Sequence, residues 1–108
     1  MRILSIILIA IMLAGCASAA SQGALRRAQK NYLKGDYTDT VAIADRALRS
    51  YDYTDEQKAE LLFLKGSSYQ KLDDIDAALA TMKYVVDKYP DTEHGYRAAQ
   101  ALSTANSN

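Results

Sequence analysis

Three kinds of side chain in this 108-residue chain could attack, ligate or move protons: the single cysteine Cys16, the single histidine His94, and the aspartates Asp73, Asp74 and Asp76. A cysteine can serve as nucleophile, metal ligand or site of modification. Zinc takes several ligands, and histidine catalysis takes a nucleophile or acid beside the imidazole. One Cys and one His complete neither set. The aspartates lack the Gly and the twelfth-position Glu of a calcium loop, and helix N-termini favour Asp in such a place. They read as caps, and His94 as an exposed first-turn residue. With no nucleophile–base pair, metal cluster or phosphate loop, the sequence predicts no enzyme, no metal and no cofactor.

Length allows one domain. Lys and Arg equal Asp and Glu at 13 each, so bulk attraction to nucleic acid is not expected. The balance is uneven along the chain. Residues 16–50 hold six basic and three acidic side chains, and residues 51–108 six basic and ten acidic. Arg26, Arg27, Lys30 and Lys34 read either as a solvated helix face or as partners for anionic headgroups.

The first residues stand apart. Arg2 precedes an apolar run from Ile3 to Leu13 interrupted only by Ser5, too short for a bilayer span of ~20 residues and fitting the apolar core of a signal peptide. Ala17-Ser18-Ala19 is a passable site for ordinary signal peptidase. Leu13-Ala14-Gly15-Cys16, directly after the apolar run, resembles the lipobox of bacterial lipoproteins. That resemblance implies cleavage before Cys16, diacylglycerol on its thiol and a third acyl chain such as palmitate on the new amine. Ala17, not being Asp, implies sorting to the outer membrane, on its periplasmic face. Two acyl chains already anchor stably. The expected divisions are 1–15 as cleaved signal peptide, 16–23 as lipidated tether and 24–105 as the domain.

From Ala24 the spacing is helical. Leu25, Ala28 and Tyr32 share a face that stops at Lys34-Gly35-Asp36. Val41, Ala44, Leu48 and Tyr51 make one stripe of a second helix. Thr54-Asp55-Glu56-Gln57 matches a capping box and starts a third, lined by Ala59, Leu62, Gly66 and Tyr69. Asp73-Asp74 opens a fourth, lined by Ile75, Ala78, Met82, Val85 and Tyr89, with Leu79 and Val86 beside it. Pro90 ends it. A fifth follows Asp91-Thr92, lined by Tyr96, Ala99 and Leu102. No segment alternates with period two, so the fold class is all-α.

The helix pairs repeat. Gly35-Asp36-Tyr37-Thr38-Asp39-Thr40 and Leu72-Asp73-Asp74-Ile75-Asp76-Ala77-Ala78 hold equivalent places, and Ala47-Leu48 aligns with Val85-Val86, an offset of 38 residues. That is the 34-residue tetratricopeptide (TPR) period with four residues inserted at Asp52–Asp55. Leu62, Gly66, Tyr69, Ala78, Val85 and Pro90 fall on positions that resemble the TPR signature, while Lys65 stands where the family prefers Leu. In repeat one Ala28 takes the Gly position, Thr40 the usual Ala and Asn31 the usual Tyr. The resemblance covers Ala24 to Ala105 and implies antiparallel hairpins stacked as a short superhelix. Repeat one spans about 24–51, repeat two about 56–90, and a C-terminal cap helix about 92–104. Lys88-Tyr89-Pro90-Asp91-Thr92 is also similar to envelope TPR proteins, the lipoproteins of the β-barrel assembly machinery and the partners of Tol-Pal, which are longer.

The inner surface of a TPR array comes from the first helix of each repeat, which implies Gln29, Tyr32, Leu33, Phe63, Ser67, Gln70, His94 and Arg97 as groove residues. Phe63 lies off the core stripe of its helix, as a partner anchor or as packing between repeats. The expected function is a lipid-anchored periplasmic module that holds an envelope protein or peptide in this groove. A pilotin-like escort lipoprotein and a structural envelope lipoprotein without a specific ligand are the alternatives. Two and a half repeats bury little, so self-association or a partner is expected to complete the core.

Overall fold

A computed structural model describes residues 2–107, the side chains of residues 11–17 excepted. The Leu13–Cys16 stretch expected as a lipobox, with the Cys16 thiol, therefore lies outside the described side chains. Five helices follow one another: α1 (Arg2–Lys34), α2 (Tyr37–Ser50), α3 (Asp55–Lys71), α4 (Ile75–Lys88) and α5 (Glu93–Ser107). Among the described residues there is no strand, and the chain is all-α as the periodicity predicts. Successive helices fold back as hairpins: α1 on α2, α3 on both, and α5 on α3 and α4 as a closing helix.

Local chemistry sets the ends. Both α1 and α3 finish in a turn that puts one residue in the left-handed region, Gly35 and Asp73 respectively. The Thr54–Gln57 capping box is present in full: the Gln57 amide donates to Thr54 Oγ1 at 3.3 Å, and the Thr54 amide to Gln57 Oε1 at 3.1 Å. Asp74 caps α4 by accepting from the Ala77 amide at 3.4 Å. Asp36 occupies the same place before α2 without a side-chain bond. Thr92 mirrors Thr54, accepting from the Gly95 amide at 2.9 Å. Such caps serve amides that the first helical turn leaves unpaired.

The core is built in two clusters that share α3. One gathers Ala24, Leu25, Ala28, Ala44, Ala47, Tyr53 and Leu61; the other gathers Ala59, Met82, Val85 and Ala98. Alanine dominates, so the helices hold together by close approach more than by large apolar volumes. Leu61, wholly buried, contributes about 1.5–3 kcal/mol of transfer energy by itself. Gly66 faces α4: a Cβ there would stand 3.1–3.3 Å from Met82 and Thr81. Thr40, at a position expected to hold Ala, is buried at no polar cost, because its hydroxyl donates to the Asp36 carbonyl at 2.8 Å.

The buried faces are rotated from the predicted stripes in several places. In α2 the buried residues are Thr40, Ala44 and Ala47, with Val41, Leu48 and Tyr51 only half-buried. In α3 a single stripe fails because the helix is packed on two sides: the buried Leu61, Ser67 and Ser68 lie off it, and Leu62 and Tyr69 on it are only half-buried. In α5 Gly95 and Ala98 are buried, while Tyr96 and Ala99 are exposed. The cause is Gly95, whose missing side chain lets α5 press against the Tyr89 carbonyl and thereby fixes the helix rotation. Ile75 and Leu79 are exposed, opening onto a cavity of about 380 Å³ that Gly66, Met82, Ala101 and Leu102 also line. Finally, α1 does not begin at Ala24. It runs unbroken through residues expected as a tether, and Tyr53 Oη donates to the Ser21 carbonyl at 2.7 Å.

Candidate binding face

The first helices of the hairpins, α1, α3 and α5, lie side by side, with α3 in the middle. Two cross-helix contacts define the shared face. Gln29 Nε2 of α1 donates to Glu60 Oε1 of α3 at 2.5 Å. Phe63, one helical turn further along α3, tilts against the His94 ring of α5 at 5.4 Å between centroids. At the start of α5 the Glu93 amide donates to Glu56 Oε2 at 3.4 Å. Glu56, Glu60, Phe63, Ser67 and Gln70 thus form the α3 line of this face, at the i, i+3, i+4 spacing that places residues on one side of a helix.

The eight expected groove residues do not play one role. Gln29, Phe63 and His94 meet their neighbours across helices as just described. Phe63 is half-buried and packs on the second core cluster, so most of its surface is already used between repeats. Tyr32 turns toward the α1–α2 hairpin and meets Tyr37 edge-on at 5.5 Å. Ser67 is buried. Gln70 is exposed at the mouth of the 380 Å³ cavity. Arg97 pairs with Glu93 at 2.9 Å along its own helix, with both side chains more than half exposed, an arrangement worth little in water. Leu33 is 83% exposed, an apolar side chain standing in solvent beside Gln29. Among the described residues no three His, Cys, Asp or Glu side chains converge as a metal site requires.

No family model, curated protein or solved structure matches the chain. Its chemistry is therefore read from the face itself: donors and acceptors at Gln29, Glu60 and Gln70, apolar surface at Leu33, and a half-open aromatic pair at Phe63–His94. Glu60 is the residue that sequence reasoning missed. It lies three positions before Phe63, so the line that gave Phe63, Ser67 and Gln70 extends back to it directly.

The opposite side of α3 holds a second opening of about 550 Å³, with Leu48, Leu62, Tyr84 and Tyr89 as apolar walls and Lys58 and Lys65 on its rim. Lys65 is committed elsewhere. Its ammonium pairs with Asp45 of α2 at 2.6 Å and lies 5.9 Å over the Tyr69 ring. The departure from Leu at this position therefore makes an α2–α3 tie. Burial raises the Tyr89 phenol above its ordinary pKa, with Tyr84 and Asp55 adding to the effect. No described helix is long and apolar enough to cross a membrane.

Proposed function

We propose that this chain is a lipid-anchored TPR-type module on the periplasmic face of the outer membrane that holds a peptide or helix of another envelope protein. The observation that carries the reading is the alignment of α1, α3 and α5 into one face on which Leu33 is left 83% exposed. Exposed apolar side chains are ordinary singly. Here Leu33 sits beside a row of paired polar groups and a half-open aromatic pair, the mixture that recognition surfaces use. The TPR type is supported by the recurring helix ends: the left-handed turns at Gly35 and Asp73 lie 38 residues apart, the 34-residue period with the four inserted at Asp52–Asp55, and threonines cap both α3 and α5. The anchor rests on Leu13-Ala14-Gly15-Cys16. Self-association is the second partner class, through Ile75, Leu79 and Tyr96, which the α4–α5 end leaves open.

Photo-crosslinkers placed singly at Leu33 and Gln70, with Ala42 and Lys83 as exposed controls on α2 and α4, test the face in intact envelopes. The expected result is one common adduct from positions 33 and 70 and none from 42 and 83. Adducts equal at all four positions, or absent from all, would remove the groove reading. The anchor is tested separately by palmitate labelling of wild type against Cys16→Ser, where equal labelling would sink it.

A further inference from the structure

Between α1 and α2 lies a small opening of about 70 Å³ whose rim carries Arg27, Arg46, Ser50 and Tyr51 over a floor that includes the buried Ala24 and Ala47. Every polar side chain on this rim carries hydrogen-bond donors, and no carboxylate lines it. Arg27 and Arg46 are exposed and make no ion pair among the described residues.

The carboxylates of the first repeat are occupied or distant. Asp36 and Asp39 lie at the start of α2, the opposite end from Ser50, and Asp45 pairs with Lys65 at 2.6 Å. Asp52, in the connection after Tyr51, is exposed and does not line the opening. Exposed Lys30 and Arg49 each lie three residues from a rim arginine on the same helix and add to the positive field. The carbonyl end of α2 contributes roughly half a negative charge, which two whole guanidinium charges outweigh.

We propose that this opening is a phosphate site for the headgroup of an anionic lipid, gripped by the guanidinium groups of Arg27 and Arg46 and by the hydroxyls of Ser50 and Tyr51. Guanidinium is the side chain suited to this work, because its planar fork matches two phosphate oxygens at once. The volume exceeds the ~10–15 Å³ that one water-sized sphere needs, so phosphate oxygens can enter between the guanidinium groups while the rest of the headgroup stays outside. Ile43, the partly exposed apolar residue of the lining, meets the glycerol carbons, which separates a lipid from free phosphate. Resting on the anchor reading, geometry also favours a membrane source: Arg27 lies on the same helix as Cys16, eleven residues further on. The site does not depend on the partner groove.

The test uses the full chain in neutral detergent micelles, followed by amide NMR shifts of residues 24–27 and 46–51. Three probes are titrated: dihexanoyl phosphatidylglycerol, dihexanoyl phosphatidylcholine and inorganic phosphate. Saturable shifts confined to those amides are expected with phosphatidylglycerol, and binding at least about tenfold weaker with the other two probes, which lack its combination of net charge and glycerol carbons. The double variant Arg27→Gln/Arg46→Gln should lose at least about tenfold, whereas Lys83→Gln/Lys88→Gln on α4 should stay within about twofold. Equal losses in the two double variants would reduce the effect to bulk charge and overturn the site. Inorganic phosphate binding as tightly as phosphatidylglycerol would overturn the lipid source, and no shift with any probe would overturn the proposal entirely.

Discussion

Asp73 and Gly35 hold the same left-handed backbone position in successive hairpins, at φ 64° and 85°. After each of them the next amide reaches back five residues, Asp36 to the Asn31 carbonyl and Asp74 to the Tyr69 carbonyl, both at 2.9 Å. This closes a helix on its own unpaired carbonyls and favours glycine at the turning residue. One repeat uses glycine and the other tolerates an aspartate, which costs about 1 kcal/mol in this region.

Asp73→Gly is accordingly expected to raise stability by about 0.5–1 kcal/mol, and Gly35→Ala to lower it by about 1–2 kcal/mol. Urea unfolding followed by circular dichroism reads both. A loss on Asp73→Gly would mean that the Asp73 side chain, not the backbone, holds the turn.

The two buried glycines should respond oppositely to a methyl group. At Gly95 an added Cβ would run into the Tyr89 carbonyl oxygen and stand 2.9 Å from Thr92 Oγ1. Backbone cannot yield cheaply, so Gly95→Ala should cost about 2–3 kcal/mol and release α5. At Gly66 the obstacle is mainly the end of the flexible Met82 side chain. There the gain of about 1 kcal/mol in helix propensity offsets the crowding, and Gly66→Ala should remain within about 1 kcal/mol of wild type. Amide exchange in residues 95–102 distinguishes them; equal protection in both variants would refute the contrast.

Tyr53 predicts a shape for the alkaline limb of stability. Burial chiefly, and Tyr51 next, raise its phenol above the ordinary value, with Arg27 opposing. A raised phenol favours the folded state only while protonated. Its contribution is whole below about pH 10 and is lost as pH climbs through the higher folded value. Ionisation would also end the hydrogen bond to Ser21. Tyr53→Phe should therefore cost about 1 kcal/mol at neutral pH and flatten the decline above pH 10, leaving the part due to Tyr89. An unchanged alkaline slope in unfolding curves would show that Tyr53 does not govern it.

The open α4–α5 end predicts concentration dependence. Leu79 is 38% and Tyr96 68% exposed, and burying such groups between copies offsets the small core of a short array. Sedimentation of the full chain in neutral detergent should show mass rising through the micromolar range, and Leu79→Gln/Tyr96→Gln should abolish the rise. A wild type that stays monomeric throughout would exclude self-association.

Much of this fold was legible because its signals are local. Gly35, the Thr54–Gln57 box, Asp74 and Pro90 each act within four residues, so they mark helix ends without tertiary context. The rotation of α5 was not legible: Ala98, Ala99 and Ala101 give no single apolar stripe, and the choice of Ala98 is made by Gly95 against a carbonyl in another segment. Leu61 was missed because a helix packed on two sides has no one stripe to find. The extension of α1 through residues 17–23 has three alanines to favour it and Gly23 and two serines against it, and its tie to the domain, Tyr53 to Ser21, spans 32 residues. On the candidate face the line 63–67–70 came from the resemblance, but the pairs Gln29–Glu60 and Phe63–His94 are products of how helices stack.

The unbroken course of α1 has a mechanical meaning. The eight helical steps from Cys16 to Ala24 make a rod of roughly 12 Å, where a loose segment would make a string. A string leaves its load free to turn, whereas a rod hands on torque. A lipid fixed at Cys16 would therefore set the height and heading of everything after it. The face formed by α1, α3 and α5 would then meet its partner from a set bearing above the bilayer, with much of the cost of orientation already met.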